Sequence, residues 1–226
     1  KIFCKHTFAE KVFFANSGAE AVEGAVKTAR KHAYLNISKK KNEIVSFSDA
    51  FHGRTMMAIA LNGSDRFIEG FGPMPGGIKN HPFNETKNLE KVITKNTAAV
   101  IIELVQGEAG IIKAKRDFIQ KIKKLCKKNK ALIIVDEVQS GAGRTGTLFA
   151  YEQFGVKPDI MCCAKGIGGG IPIAAILTSS KIAECMQLGS HGTTFGGNPL
   201  ACAVAEQVMT LLSKKSLLNG VKRKEK

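Results

Sequence analysis

The run Ala131-Leu-Ile-Ile-Val135 passes directly into Asp136-Glu-Val-Gln139. A short apolar run with β-branched residues, closed by a charge, is what a strand buried on both faces of a parallel sheet requires. A second run, Asp159-Ile-Met-Cys-Cys-Ala164, ends in Lys165 and is followed by Gly166-Ile-Gly-Gly-Gly170. Working outward, further strand-like runs are Val12–Ala15, Ile44–Phe47, Ala98–Glu103 and Ile173–Thr178, with the two central strands read as Ala131–Asp136 and Ile160–Ala164. Helical patterns intervene at Ala19–Tyr34, Asp117–Asn129 and Pro199–Leu212. This alternation predicts an α/β fold, a mostly parallel sheet flanked by helices. The Gly- and Pro-rich segment Asn62–Pro82 reads as a loop excursion, and the basic tail after Ser213 as a helix cut short. No internal repeat or low-complexity block interrupts the chain.

With 226 residues the chain is long enough for one large domain with a substantial core. Its 44% hydrophobic and 23% charged content is that of an ordinary soluble domain, and no stretch approaches a membrane span. The start, Lys1-Ile-Phe-Cys-Lys-His6, has neither a Met nor a long apolar core. It reads as no signal peptide, and as the beginning of a piece of something longer. The six cysteines, Cys4, Cys126, Cys162, Cys163, Cys185 and Cys202, lack metal-type spacing. Free thiols in a reducing cytoplasm are the expectation.

The net charge is +15, from 34 Lys and Arg against 19 Asp and Glu, and charge of that size raises the question of nucleic acid. The lysines cluster at Lys39–Lys41, Lys121–Lys130 and Lys222–Lys226. On a helix from about Asp117 to Asn129, Phe118, Ile119, Ile122, Leu125 and Cys126 form one apolar stripe and the lysines fall largely opposite it. That is the pattern of a solvated helix face. Aromatics do not interleave with the basic runs as single-strand binders require, so neither nucleic acid nor membrane is an expected partner.

Open α/β sheets bind ligands beyond the carboxyl ends of their strands. Asp136 and Lys165 both fall there, and together they suit pyridoxal phosphate (PLP), which needs a lysine amine for its Schiff base and an acid facing its pyridinium nitrogen. Other strand ends carry further candidates. Asn16-Ser17-Gly18-Ala19-Glu20 contains a capping box, Ser17 with Glu20, at the start of an Ala-rich helix. Read alone it is either a plain cap or an anion site in which Ser17, Gly18 and Ala19 aim N–H groups at a phosphate. In Phe51-His52-Gly53-Arg54-Thr55, the aromatic suits stacking on a planar ring and Arg54 a two-pronged grip on a carboxylate; a core Phe and a surface Arg fit equally. Glu103 and Glu108 in Ile101-Ile-Glu-Leu-Val-Gln-Gly-Glu108 are either site carboxylates or solvated acids at a turn, since buried carboxylates are costly unless paired. Gly141-Ala-Gly143-Arg-Thr-Gly146 has the form G-x-G-x-x-G but is rejected as a dinucleotide fingerprint, because Glu137–Ser140 separate it from its strand. Its last Gly is followed by Thr147, which excludes a P-loop. In His191-Gly-Thr193-Thr194-Phe-Gly-Gly-Asn198-Pro199, Asn198 and Pro199 are suited to start a helix, and the two hydroxyls suit either a phosphate or a plain turn.

These motifs occur in one order, each at a strand end, and together the chain resembles the class III, fold-type I PLP-dependent aminotransferases, with its nearest likeness in the acetylornithine branch. The resemblance rests on Asn16–Glu20, Phe51–Thr55, Asp136–Gly146, Ala164-Lys-Gly-Ile-Gly-Gly-Gly-Ile-Pro172 and His191–Pro199, and it covers residues 1–226 as the PLP-binding large domain. It implies that Lys165 is the Schiff-base lysine and shuttles the proton, that Asp136 pairs with the pyridinium nitrogen, and that Gln139 contacts the phenolic oxygen, with Glu137 and Val138 also binding the cofactor. It assigns the phosphate to Ser17, Gly18 and Ala19, ring stacking to Phe51 and the substrate carboxylate to Arg54. Thr194, with Thr193 beside it, reaches the cofactor or substrate of a neighbouring subunit, which implies a homodimer with shared sites. Glu108 resembles the family's gating acid, whose arginine partner belongs to a C-terminal domain.

The family usually has Pro where this chain has Leu104. Relative to the family pattern, the N-terminal segment and the C-terminal small domain are absent. The implied reaction is transamination of N2-acetyl-L-ornithine with 2-oxoglutarate to N-acetyl-L-glutamate 5-semialdehyde and L-glutamate, a step of arginine synthesis. Ornithine, 4-aminobutyrate and succinyldiaminopimelate are the alternative amino donors, and an inactive truncated fragment is the alternative to an enzyme.

Overall fold

The computed structural model describes residues 1–224. In chain order the strands are β1 (Lys11–Ala15), β2 (Glu43–Phe47), β3 (Ile78–His81), β4 (Thr97–Ile102), β5 (Val105–Gln106), β6 (Ile112–Lys113), β7 (Leu132–Asp136), β8 (Ile160–Cys163) and β9 (Ala174–Thr178). The helices are α1 (Ile2–His6), α2 (Gly18–Asn36), α3 (Met56–Leu61), α4 (Asp65–Ile68), α5 (Leu89–Val92), α6 (Arg116–Asn129), α7 (Tyr151–Phe154), α8 (Ser180–Ala183), α9 (Pro199–Leu212) and α10 (Lys215–Arg223).

Seven strands form one sheet in the order β1-β9-β8-β7-β4-β2-β3, while β5 and β6 make a separate two-stranded ribbon. Strands β3, β2, β4, β7 and β8 pair in parallel, and β9 runs antiparallel to both of its neighbours. The mostly parallel α/β sheet expected from the sequence is therefore present. Every residue of β4, β8 and β9 is buried, which accounts for their apolar text, broken only by a terminal Thr97 and Thr178.

Alternate residues of the strands serve opposite layers, as the two-residue period of a strand demands. Ile44, Ile101, Ile134, Cys162 and Ile176 pack with α2 in one core layer. On the other face, Val45, Phe47, Val100, Ile102, Ile133 and Val135 pack with the apolar stripe of α6. A third cluster joins Met161, Cys163, Ala175 and Leu177 to α9 and α1. Helix α2 lies close to the sheet because Gly24 lets it: a Cβ there would come within 2.3 Å of Ile176 Cδ1.

One expectation is corrected, and the helical reading of the tail agrees with the structure. Segment Asn62–Pro82 is not all loop. It contains α4 and the edge strand β3, which pairs in parallel with β2. Its text, Ile-Lys-Asn-His, has too little apolar content to announce a strand, because an edge strand with a half-exposed face does not need it. The tail after Ser213 forms α10 as far as Arg223; the last two of the lysine-cluster residues, 225 and 226, lie outside the described residues. Among the described residues no helix is long and apolar enough to cross a membrane, and all six cysteines are free.

Candidate active site

The carboxyl ends of the parallel strands, together with the end of β1, converge on a cavity of about 370 Å³. Its lining includes Ser17, Phe51, Asp136, Val138 and Lys165. Topology explains the meeting. β7 and β8 are neighbours with Asp136 in register with Cys162, so the residues that follow the two strands emerge side by side. Lys165 sits two residues beyond β8 with φ +46°, at the start of a tight 3-10 turn, Lys165–Gly168. A left-handed lysine is an uncommon conformation held only where its surroundings demand it.

Asp136 is buried at the cavity wall and bonded through both oxygens. Its Oδ1 accepts the Val138 N–H at 3.0 Å, and its Oδ2 lies 2.8 Å from His52 Nδ1. His52 is itself buried, and its Nε2 has no hydrogen-bond partner among the described residues. Burial alone would lower the His52 pKa, but the hydrogen bond and charge of Asp136, with Glu103 adding to them, raise it above the ordinary histidine value. The imidazole is thereby held against Asp136 at the back of the site. Sequence reading passed over His52, although it stands between the two residues singled out in its motif.

The start of α2 forms another wall. Ser17 Oγ accepts the Glu20 N–H at 3.2 Å, while the Glu20 carboxylate accepts the Ser17 N–H at 3.1 Å. The capping box is thus real, and it occupies the Ser17 N–H. The hydroxyl proton of Ser17 and the N–H groups of Gly18 and Ala19, first-turn donors without an intrahelical acceptor, remain for an anion. Gly18 is required by contact, since a Cβ there would meet Val138 Cγ1 at 2.8 Å. At Gly53 the φ is +127° and a Cβ would stand 2.8 Å from the Ala19 side chain. The Phe51 segment and the α2 terminus are therefore pressed together in a way only glycine permits.

The remaining candidates distribute around this centre. Arg54 is exposed, its guanidinium 5.5 Å from the Phe51 ring and 5.4 Å from the Phe67 ring. Gln139 Nε2 reaches Glu108 Oε1 at 3.4 Å, tying those two together outside the cavity lining. Thr193 Oγ1 accepts the Asn16 side-chain N–H at 2.9 Å, whereas Thr194 is exposed. The Glu137 side chain does not join the lining. It turns into the protein, where its carboxyl accepts the Ser140 hydroxyl at 2.7 Å and the N–H groups of Ala150 and Tyr151 at 3.0 and 2.7 Å. Burial pushes its pKa up to about 7 despite those donors. The Gly141–Gly146 stretch forms turns and opens no helix, as its rejection as a dinucleotide fingerprint requires.

The donor set fits a small anionic heterocycle. It offers free N–H groups at a helix start, an aromatic wall, a buried carboxylate and a primary amine in one cavity. The described residues contain no cluster suited to a metal ion. Comparison with known proteins agrees with that chemistry: the family model for class III aminotransferases matches residues 1–226. The chain belongs to the class III aminotransferases. It is 50% identical over 222 residues to a succinylornithine transaminase of Yersinia pseudotuberculosis, an alignment covering 96% of this chain and 54% of that protein. An acetylornithine aminotransferase of Vibrio vulnificus is also 50% identical, over 219 residues, with 97% and 54% covered. Among solved structures, the ornithine aminotransferase of Toxoplasma gondii superposes with a TM-score of 0.90 at 34% identity, covering 95% of this chain and 52% of that one. A second structure of that enzyme is described as showing partial PLP occupancy at its active site. The chain spans about half the length of the curated relatives it matches.

Proposed function

We propose that this chain carries the PLP site of an aminotransferase that moves the terminal amine of an N2-acylated ornithine to 2-oxoglutarate. The observation that carries this reading is the placing of buried Asp136 and of Lys165 on one cavity at the ends of adjacent parallel strands. When bound, PLP supplies an electron sink that stabilises negative charge on the substrate carbon. The chain's residues do the rest. Lys165 Nζ would be the amine that holds the aldehyde end and, when free, the base that moves the substrate proton. Asp136, oriented by its hydrogen bond with His52, would face the pyridine nitrogen and favour a proton there. Gly18, Ala19 and the Ser17 hydroxyl would hold the phosphate, Val138 and Phe51 would offer apolar contact to the ring, and Gln139 and Glu108 would edge the site. With N2-acetyl-L-ornithine as donor the products are N-acetyl-L-glutamate 5-semialdehyde and L-glutamate, within cytoplasmic arginine synthesis.

The relatives named for succinylornithine and acetylornithine support an acylated donor, and the Toxoplasma superposition favours unblocked ornithine as the second reading. A donor screen on the full-length protein decides between them. N2-acetyl- or N2-succinyl-L-ornithine should give a higher kcat/KM than ornithine, 4-aminobutyrate or succinyldiaminopimelate; a preference for any of the last three overturns the acyl-ornithine reading.

Arg54 should set recognition of the donor carboxylate. Its guanidinium rests against two aromatic rings, a shelf that favours a planar group. Arg54→Lys keeps the charge and loses the fork. KM for the donor should rise by roughly ten- to a hundredfold, the scale of a hydrogen bond to a charged group, while the cofactor's absorbance stays unchanged. A changed spectrum with an unchanged KM would assign Arg54 to the cofactor.

Thr194 is exposed in the single chain, and we assign it to the phosphate of a second subunit in a homodimer. Thr194→Val should weaken PLP binding by roughly ten- to a hundredfold. Mixing Thr194→Val chains with Lys165→Ala chains gives heterodimers in which one site carries both defects and the other neither, so activity should partly return. Heterodimers that form and restore nothing would refute the shared site.

A further inference from the structure

We propose that Glu103 is a positioning residue of this site, its buried carboxylate fixing the Phe51–Gly53 segment against the end of β4 and thereby setting both the ring-stacking aromatic and the His52–Asp136 pair. The inference rests on the PLP reading above and deepens it.

The segment between β2 and α3 has no regular structure across Phe51, His52 and Gly53. It is held instead by two buried side chains. Glu103 Oε2 accepts the Phe51 N–H at 2.9 Å. Asn62 Oδ1 accepts the His52 N–H at 2.7 Å, and its Nδ2 donates to the Gly53 carbonyl at 3.3 Å. Three consecutive residues of the cavity wall are thus clamped from outside their own segment. Asn62 lies at the end of α3 and is local to this loop. Glu103 stands at the end of a different strand, so with the His52–Asp136 pair it ties the wall to the sheet.

Glu103 is 6% exposed, immediately after β4. A carboxylate in that position is costly unless its surroundings repay it. Burial pushes its pKa up to about 7, and the opposing influences are His52 and the N–H groups of Phe51 and Gly107. Those same groups identify what the carboxylate serves. Phe51 lines the cavity, His52 holds Asp136, and Gly107 precedes Glu108. No other role is visible for the side chain: it does not line the cavity and it pairs with no Lys or Arg among the described residues.

The test compares Glu103→Gln, which keeps an acceptor oxygen and removes the charge, with Glu103→Leu and Glu103→Ala, which remove the acceptor. Amide hydrogen exchange in the full-length protein, with and without PLP, reads the contact directly. The Phe51 amide should stay within a few-fold of native in Glu103→Gln and exchange roughly tenfold faster or more in the acceptor-less variants, as loss of a charge-assisted hydrogen bond entails. Amides of β4 and β7 should stay native, which separates a local release from general destabilisation. The visible circular dichroism of bound PLP should weaken in Leu or Ala and be largely retained in Gln. A Phe51 amide indifferent to Leu and Ala, or a Gln variant as perturbed as they are, overturns the proposal. Failure of the PLP reading would show separately, as absence of covalent label at Lys165 in the native protein.

Discussion

Asp136→Asn in the full-length protein should retain PLP yet lose turnover by roughly a hundred- to a thousandfold, the scale of removing one preorganised electrostatic partner. The substitution keeps the shape of a side chain that is 3% exposed and bonded on both oxygens. Asparagine can still accept the Val138 N–H. Its amide then faces His52 Nδ1, a conflict the imidazole resolves by moving its proton to Nε2, which is buried and unpartnered among the described residues. The variant therefore folds at a modest cost, typically about 1–3 kcal/mol for an unpaired buried donor. What it cannot do is hold a proton on the pyridine nitrogen, because the negative charge is gone. Steady-state kinetics beside a cofactor-binding titration separates the two effects. Turnover within a few-fold of native, with PLP bound, would show that Asp136 does not act on the ring.

The sheet was legible because its strands are buried on both faces. Runs such as Ala131–Val135 and Ile173–Leu177 carry no polar residue to confuse a helix with a strand, and the structure moves their ends by no more than one residue. β3 was not legible. Its edge position asks little of its side chains, and the Gly and Pro around it speak more loudly than Ile78 does. The antiparallel sense of β9 was likewise invisible, since a fully buried strand reads the same in either direction.

At the site, the residues found from sequence are those attached to a chemical demand: an amine, an acid, N–H groups at a helix start. Cavity geometry brings Ser17, Gly18, Ala19, Phe51, Asp136, Val138 and Lys165 together. Glu137 illustrates the limit. It neighbours Asp136 in sequence, but the chain leaves its strand there and the two side chains part, one toward the cavity and one toward Ser140 and the α7 start. His52 shows the converse. Its importance lies in a contact with Asp136 across 84 positions of sequence, and nothing in the local text Phe51-His52-Gly53 announces such a partner. Gln139 and Glu108 are brought to each other, a pairing that spacing could not foretell.

Lys165→Ala should have the largest effect of any single change. It removes the covalent hold on the cofactor and the group that moves the proton, and a positioned acid–base group alone contributes up to roughly ten-thousandfold. Turnover should fall by at least that factor. The fold should persist, because Lys165 is exposed and its side chain makes no hydrogen bond or salt bridge among the described residues. Its strained φ of +46° is relieved no further by Ala than by Lys.

The chain carries 34 Lys and Arg residues, so covalent capture of PLP must be shown to be selective. The direct measurement is incubation with PLP, reduction with borohydride and peptide mapping. The account predicts label concentrated on Lys165, lost in Lys165→Ala. Label spread over the surface lysines of α6 and the tail, unaltered by that substitution, would contradict it.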